Sequence, residues 1–487
     1  MGVEKNIVAI ELGSSSIRAI IGQKRPDGSL QVSGYEKEVA PDSIHKGAVY
    51  NIDKTAQAIS TVIKRIEERQ KLLVNLVYVG LSGLSLRTAG NSVKRQFEAK
   101  TTISDEILEQ LKEENLSRSY PGAEILDVLP QEYRVGAHVN NDPKGVITDR
   151  IEGFYKNVIA RTSLRENIQN CFKNVKQIEV ADFFISPLLL AGYLLTDTEK
   201  RSGCALVDFG AETTTVAIYV QKILRHLVVI PLGGNNITND IAASLHIEYE
   251  EAENLKRTYG SAYTEEEELQ QPKQLNISNE RTVEEKVLLN IIEARQQEII
   301  DNVWEQIKDY SDKLLAGIIF TGGAANIKNL QNAFVQYHHF DKVKMRPMPA
   351  SLEYNTSLKL DPQTNTLATL IAMLKRGDQE CTSTKTRTDS DLFTENDGEP
   401  TADVSNVGAA GVDNGIPTVT TTATGDGVVR PKEDPVEIEA AKPEVEEVLE
   451  PTKEEEPEEP AKPKKPNAFS RFLKSIKNTA EKLVEDN

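Results

Sequence analysis

GCALVDFGAETTTVAIYVQKILRHLVVIPLGGNNITNDI, residues 203–241, is the stretch on which the fold of this chain turns. An apolar run from Cys204 to Val207 ends on Asp208 and Gly210. An alternating β-branched run from Thr213 to Val220 follows, and then a third run, Leu227 to Ile230. This spacing predicts a strand, a tight turn and two more strands. Pro231-Leu232-Gly233-Gly234 then leads into Ile237 to Leu245, which has helical spacing, with Asn235 or Asn236 placed to cap it. Amides of the first turn and of the helix start are expected to point into one cleft. Such a turn suits a polyphosphate, because glycine lets the backbone approach, Thr213 and Thr214 add hydroxyls, and a strand-end carboxylate can hold a metal through water. Taken alone, an ordinary hairpin reads the same way.

Working outward, Ile7 to Ile21 reads IVAIELGSSSIRAII and repeats the pattern. Glu11 stands opposite Asp208, Gly13 opposite Gly210, and Ser14-Ser15-Ser16 opposite Ala211-Glu212-Thr213. Two acid-tipped hairpins with hydroxyls at matching places favour a shared phosphate cleft over two unrelated hairpins. Asp53 to Leu72 has helical spacing and Val74 to Leu81 reads as a buried strand. Leu84 to Arg161 changes character and reads as a small α/β insertion with its own core: an acidic helix at Ile103 to Leu116 and strands at Ile125 to Val135 and Val158 to Arg161. Asp240 to Asp312 is expected to be largely helical, ending in one long amphipathic helix from Val283 to Leu314. GIIFTGGAANI, residues 317–327, reads as a buried strand, a Gly-Gly turn that admits a ring or ribose, and a helix start.

The 487 residues, 39% of them hydrophobic, suffice for several cores. Cys171, Cys204 and Cys381 are too far apart in sequence to suggest a disulfide framework or a zinc site, which fits a reducing cytoplasm. The N-terminus shows neither a secretory nor an acylation pattern, and no apolar stretch is long enough to span a bilayer. A net charge of −18 argues against broad nucleic-acid binding. From residue 376 to 466 Thr, Asp, Gly, Pro and Glu dominate, a composition too poor in apolar residues to order itself; as a coil it reaches on the order of 50 Å. The last residues reverse the charge. Phe469, Phe472, Leu473, Ile476, Ala480, Leu483 and Val484 share one helical stripe, bordered by Arg471, Lys474, Lys477 and Lys482. A short helix with this stripe needs an outside apolar surface, either an anionic bilayer or a protein groove.

Taken in order, IVAIELGSSSIRAIIG, VYVGLSG, VLPQEY, LLTDTEKRSGCALVDFGAETTTVAIY, LRHLVVIPLGGNNITNDIA, AENLKRTYG and GIIFTGGAANIKNL resemble the actin, hexokinase and sugar-kinase superfamily, and more narrowly the FtsA family of bacterial cell-division proteins. The resemblance runs from about Lys5 to Leu374 and returns in the amphipathic tip.

It implies an α/β, two-lobed actin-like (ribonuclease H-like) fold around a nucleotide cleft, with a small α/β insertion, a disordered linker and a C-terminal amphipathic helix. The implied division is 1–83 for the first part of lobe I, 84–162 for the insertion, 163–200 for the completion of lobe I, and 201–375 for lobe II with a helical partner-binding part at about 240–312. An acidic linker at 376–466 and a membrane-targeting helix at 467–487 follow. By resemblance Gly13, Ser14, Ser15, Gly210, Thr213 and Thr214 contact the phosphates of ATP. Glu11 and Asp208 approach Mg2+, and Gly233, Gly234 and Asn235 close the floor. Glu253, Lys256, Gly322, Gly323 and Ala324 surround ribose and adenine.

The implied function is a division scaffold that polymerises and tethers FtsZ, by its C-terminal peptide, to the cytoplasmic face of the inner membrane at the division site. It would work alongside other division proteins and anionic lipids, with Arg295 a candidate FtsZ contact. A small-molecule kinase and a pilus-assembly protein of the same superfamily are the alternatives, though no carboxylate base stands out for a kinase. Two departures bear on the cleft: Glu212 puts a negative charge where the family is often glycine-rich, and Ser186-Pro187 offers no group to orient a water, so at most slow hydrolysis is expected.

Overall fold

In a computed structural model, the two repeats named above become two sheets of the same topology. The structure describes residues 4–384 apart from 28, 176–177, 266–272, 278–280, 347–352, 355–357 and 359–365. The linker and the amphipathic tip lie outside the described residues.

In the first sheet Lys5–Leu12 and Ile17–Lys24 pair antiparallel, Leu30–Glu38 continues outward, and Leu76–Leu81 and Glu179–Ile185 add parallel on the other side. In the second, Cys204–Phe209 and Thr214–Val220 pair antiparallel and Ile223–Ile230 continues. Ile318–Thr321 and Val343–Met345 add parallel. The registers match: Glu11 pairs with Arg18 and Asp208 with Thr215, each one step before the turn. Both acids therefore stand at the same corner of equivalent hairpins.

Strand alternation divides the apolar residues between two cores. Cys204 and Leu206 face a core shared with Ile59, Val62, Ile63 and Ile66 of the helix Ile52–Gln70 and with the helix Ala368–Arg376. Ala205, Val207 and Phe209 face the other way, toward the helices Gly234–Leu245 and Glu285–Ile307. The Ile52–Gln70 helix starts where Asn51 Oδ1 accepts from the Lys54 amide at 2.9 Å and stops at Lys71 in the left-handed region.

The insertion has a core of its own, including Val93, Leu111, Val128, Tyr133, Ile151 and Tyr155. Its long strands Arg87–Thr102, Ala123–Val135 and Ile147–Arg161 nevertheless extend the second sheet, through the single pair Val228–Arg87 and a bond from the Leu227 amide to Thr88 Oγ1 at 3.1 Å.

Three elements depart from the sequence reading. Leu30–Glu38 is a full strand whose inward positions include Gly34 and Glu36. Gly34 faces Ile21 and Gln70 so closely that a side chain would overlap them, and Glu36 is buried because Arg69 pairs with it at 2.5 Å, so its alternation is hidden in composition. The first insertion strand, Arg87–Thr102, is mostly polar and exposed and gives no apolar period. The long helix runs only over Glu285–Ile307. A hairpin of Gln274–Ile277 with Arg281–Glu284 precedes it, and a tighter turn at Lys308–Lys313 follows, where Ser311 Oγ donates back to the Lys308 carbonyl at 2.7 Å.

Candidate functional site

The two acid-tipped turns face one another across a cavity of about 600 Å3. On its wall are Glu11, Gly13, Ser14 and Ser15 from the first turn, and Asp208, Gly210 and Thr213 from the second. Gly234, Asn235, Glu253, Lys256, Gly322, Gly323 and Ala324 complete the residues that sequence reading brought here. Two others, Thr214 and Gly233, stand behind the wall. Thr214 is fully buried and its hydroxyl donates to the Leu232 carbonyl at 2.8 Å. Gly233 packs so tightly on the Gly210 and Ala211 carbonyls that a Cβ would overlap them.

The helix start works differently from expectation. Neither Asn235 nor Asn236 is the N-cap; Gly233 is, and Asn236 reaches back from the first turn to accept from the Gly233 amide at 2.9 Å. The Gly234 and Asn235 amides bond the Gly210 and Ala211 carbonyls at 3.0 and 2.7 Å. They grip the second hairpin's turn from below instead of pointing freely into the cleft. The Gly13 and Ser16 amides and carbonyls bond each other at 3.2 Å, and the Gly210 amide donates to the Thr213 carbonyl at 2.8 Å. The amides of Ser14, Ser15, Ala211, Glu212 and Thr213 are in none of these bonds and are the donors the turns can offer.

The acids differ in their company. Glu11 forms an ion pair with Arg18 at 3.0 Å, and Arg18 also donates to the Thr366 carbonyl. Burial pushes the Glu11 carboxyl up from its ordinary value and Arg18 opposes the shift. Burial pushes Asp208 to about 6, the nearby Glu11 adds to this, and Arg18 again opposes. Both residues are half-buried and line the cavity. Gly322, in the left-handed region at φ 94°, is obligatory here, since a Cβ would overlap an Asp208 carboxylate oxygen and the Phe209 carbonyl.

On the other wall Lys256 donates to Gly234 O at 3.0 Å and Thr238 Oγ1 at 2.7 Å, and pairs with Glu253 at 2.5 Å. Burial lowers the Lys256 pKa, with Glu253 opposing. Glu253 also takes Thr238 Oγ1 at 2.6 Å and Arg257 at 2.7 Å; burial raises its pKa, but these bonds outweigh it and the net shift is downward.

Sequence reading missed the cations of lobe I. Arg18 and Lys37 are paired neighbours on adjacent strands, in a row with Glu11, and all three line the cavity. Burial lowers Lys37, and Arg18 and Arg257 lower it further. Period-2 counting from Glu11 through the strand pairing would have found this row, but the pairing was not readable. Arg295, by contrast, is not on the cavity: it is held by Asp240 at 2.5 and 3.1 Å and by Glu298. The stripe Phe469, Phe472, Leu473, Ile476, Leu483, Val484 with Arg471, Lys474 and Lys477 lies outside the described residues. Among the described residues no helix is long and apolar enough to cross a membrane.

Two duplicated sheets closing on a polar cavity, with acids at matching corners, define an actin-like two-lobed protein. Comparison agrees. The family model for Cell division protein FtsA matches residues 205–370. Cell division protein FtsA of Bacillus subtilis is 30% identical over 326 residues, covering 65% of this chain and 73% of that protein. That of Porphyromonas gingivalis is 29% identical over 341 residues, 66% and 69% of the two chains. Among solved structures, the PilM-PilN type IV pilus biogenesis complex superposes with a TM-score of 0.54 at 14% identity, over 76% of this chain and 98% of that one, a likeness of fold. The chain belongs to the FtsA family and is a cell-division protein of the actin-like class.

Proposed function

We propose that this protein is a membrane-tethered division scaffold that binds Mg-ATP in the cleft, polymerises, and holds FtsZ at the cytoplasmic face of the inner membrane. The observation that carries the nucleotide part is the pair of matched turns across one cavity, with acids at equivalent register positions. Glu11 and Asp208 fit a hydrated magnesium ion. They are two part-buried carboxylates whose charged forms are costly where they stand, and only one of them has an arginine partner. The ion would supply counter-charge to the phosphates. Arg18 and Lys37 add further positive charge on the same wall.

Hydrolysis is slow at best. Of the four carboxylates among the described residues on the cavity wall, Asp208 would face the magnesium ion, Glu11 is engaged by Arg18, Glu212 by the Lys46 amide, and Glu253 by Lys256, Arg257 and Thr238. Ser186 and Pro187 bring a hydroxyl and a ring to the wall, neither of which takes a proton from water. The same commitments weigh against a small-molecule kinase, which needs a free base beside its acceptor.

The family assignment and the basic apolar stripe at residues 469–484 support the tether. For FtsZ the helical region at 240–312 is the docking face. Arg295 would meet an acidic peptide there by exchanging Asp240 or Glu298 for it. Calorimetric titration with Mg-ATP, followed by pelleting with anionic vesicles with and without an FtsZ C-terminal peptide, tests the whole reading. It expects nucleotide binding, vesicle binding, and recruitment of the peptide to vesicles only when the protein is present.

A further inference from the structure

The residues Ile44–His45 and Ala48–Val49 form a small hairpin whose two central residues, Lys46 and Gly47, both have positive φ, 49° and 74°. In a two-residue turn of this kind the central amides take no part in the hairpin's own bonds, so two successive N–H groups are presented outward. Here they reach both phosphate turns at once. The Lys46 amide donates to Glu212 Oε2 at 2.6 Å, and the Gly47 amide donates to Ser14 Oγ at 3.0 Å. Gly47 lies against Gly83 so closely that a Cβ would overlap the Gly83 backbone, and the Leu84 amide holds the Lys46 carbonyl at 3.1 Å, so the turn is fixed from behind. Gly47, Ser14 and Glu212 all line the cavity.

Resting on the nucleotide reading, we infer that Glu212 is a specificity-determining residue: its carboxylate occupies an anion site on the Lys46-Gly47 turn, and the terminal phosphate of a nucleoside triphosphate takes that site by displacing it. The chemistry is that of one anion exchanged for another at backbone donors. A carboxylate gives the Lys46 amide a charge-assisted bond, which is why a glutamate can stand in a phosphate turn without facing the phosphates in the empty protein. A diphosphate, one group shorter, has less reach past the two turns and leaves Glu212 in place. Glu212 thereby acts against the triphosphate more than the diphosphate, and ties lobe I to lobe II across the cleft until the exchange occurs.

The test uses the full chain and its Glu212→Ala and Glu212→Gln variants, titrated with Mg-ATP and with Mg-ADP. Hydrogen–deuterium exchange is followed at the peptide containing Lys46 in nucleotide-free protein. Removing the carboxylate should raise affinity for Mg-ATP relative to Mg-ADP by about tenfold and speed exchange at Lys46. The glutamine variant, which keeps an acceptor without the charge, should fall between. An ATP-to-ADP ratio within about twofold of the parent's, or exchange at Lys46 unchanged in the alanine variant, overturns the inference. A parent that binds neither nucleotide overturns the nucleotide reading and this inference with it. A parent that binds both, with an unaltered ratio in the variants, overturns the inference alone.

Discussion

Replacing Asp208 with asparagine should make the nucleotide-free protein more stable and weaken its binding of Mg-ATP. The carboxyl's pKa of about 6, against an ordinary 3.8, measures what burial beside Glu11 costs its charged form. A rise of that size corresponds to about 3 kcal/mol, an upper figure because the cavity face of the group is open to water. The sign follows from proton linkage. Between pH 3.8 and about 6 the folded chain holds a proton on Asp208 that the unfolded chain has released, so the parent loses stability as pH rises through that window and carries the full cost above it. Asp208→Asn removes the cost. In EDTA and without nucleotide, its denaturation midpoint should match the parent's below pH 3.8, exceed it increasingly as pH rises through the window to about 6, and exceed it by a constant amount above. With Mg-ATP the advantage should shrink: loss of the magnesium-facing charge should weaken binding by more than about tenfold, or 1.4 kcal/mol. Urea unfolding at several pH values and calorimetry read the two effects. A variant no more stable than the parent at pH 8 refutes the burial argument, and unchanged Mg-ATP affinity removes Asp208 from the site.

Other outcomes can be checked alongside. Arg18→Ala leaves Glu11 without its partner at 3.0 Å and should cost about tenfold or more in Mg-ATP affinity; an unchanged titration would take Arg18 out of the site. Gly322→Ala places a methyl on Asp208 and the Phe209 carbonyl in a left-handed backbone, and thermal denaturation should show a loss of about 1 kcal/mol or more. Phe472→Glu with Ile476→Glu puts two charges into the apolar stripe and should abolish pelleting with anionic vesicles while Mg-ATP binding persists; pelleting like the parent's would hand the stripe to a protein groove. Cross-linking of an FtsZ C-terminal peptide should map to residues 240–312, and capture by the strands of the insertion instead would defeat that placement.

The chain's sequence alone determined the elements that carry a strong local period or a repeated word. The hairpins at Glu11 and Asp208, the Gly-Gly helix start and the turn at Gly322 were legible because each needs particular residues at fixed spacing, glycine above all, whatever surrounds it. Their duplication indicated a shared cleft, and the two-lobed fold followed from the resemblance of the ordered words to the actin-like superfamily.

Tertiary structure decided what each polar group does. Thr214 and Thr213 are adjacent and alike in sequence, yet strand alternation turns one hydroxyl to Leu232 behind the wall and leaves the other on the cavity. The amides of Gly234 and Asn235 carry every local sign of an anion site and are spent on the Gly210 and Ala211 carbonyls. Arg18 and Lys37 enter the cleft through the register of three strands, and Glu212 finds its donor at Lys46, 166 residues away in sequence. A local period reports which face a side chain takes. Its partners depend on which distant segments pair, and a hydrogen bond is directional and short enough that one step of register changes them.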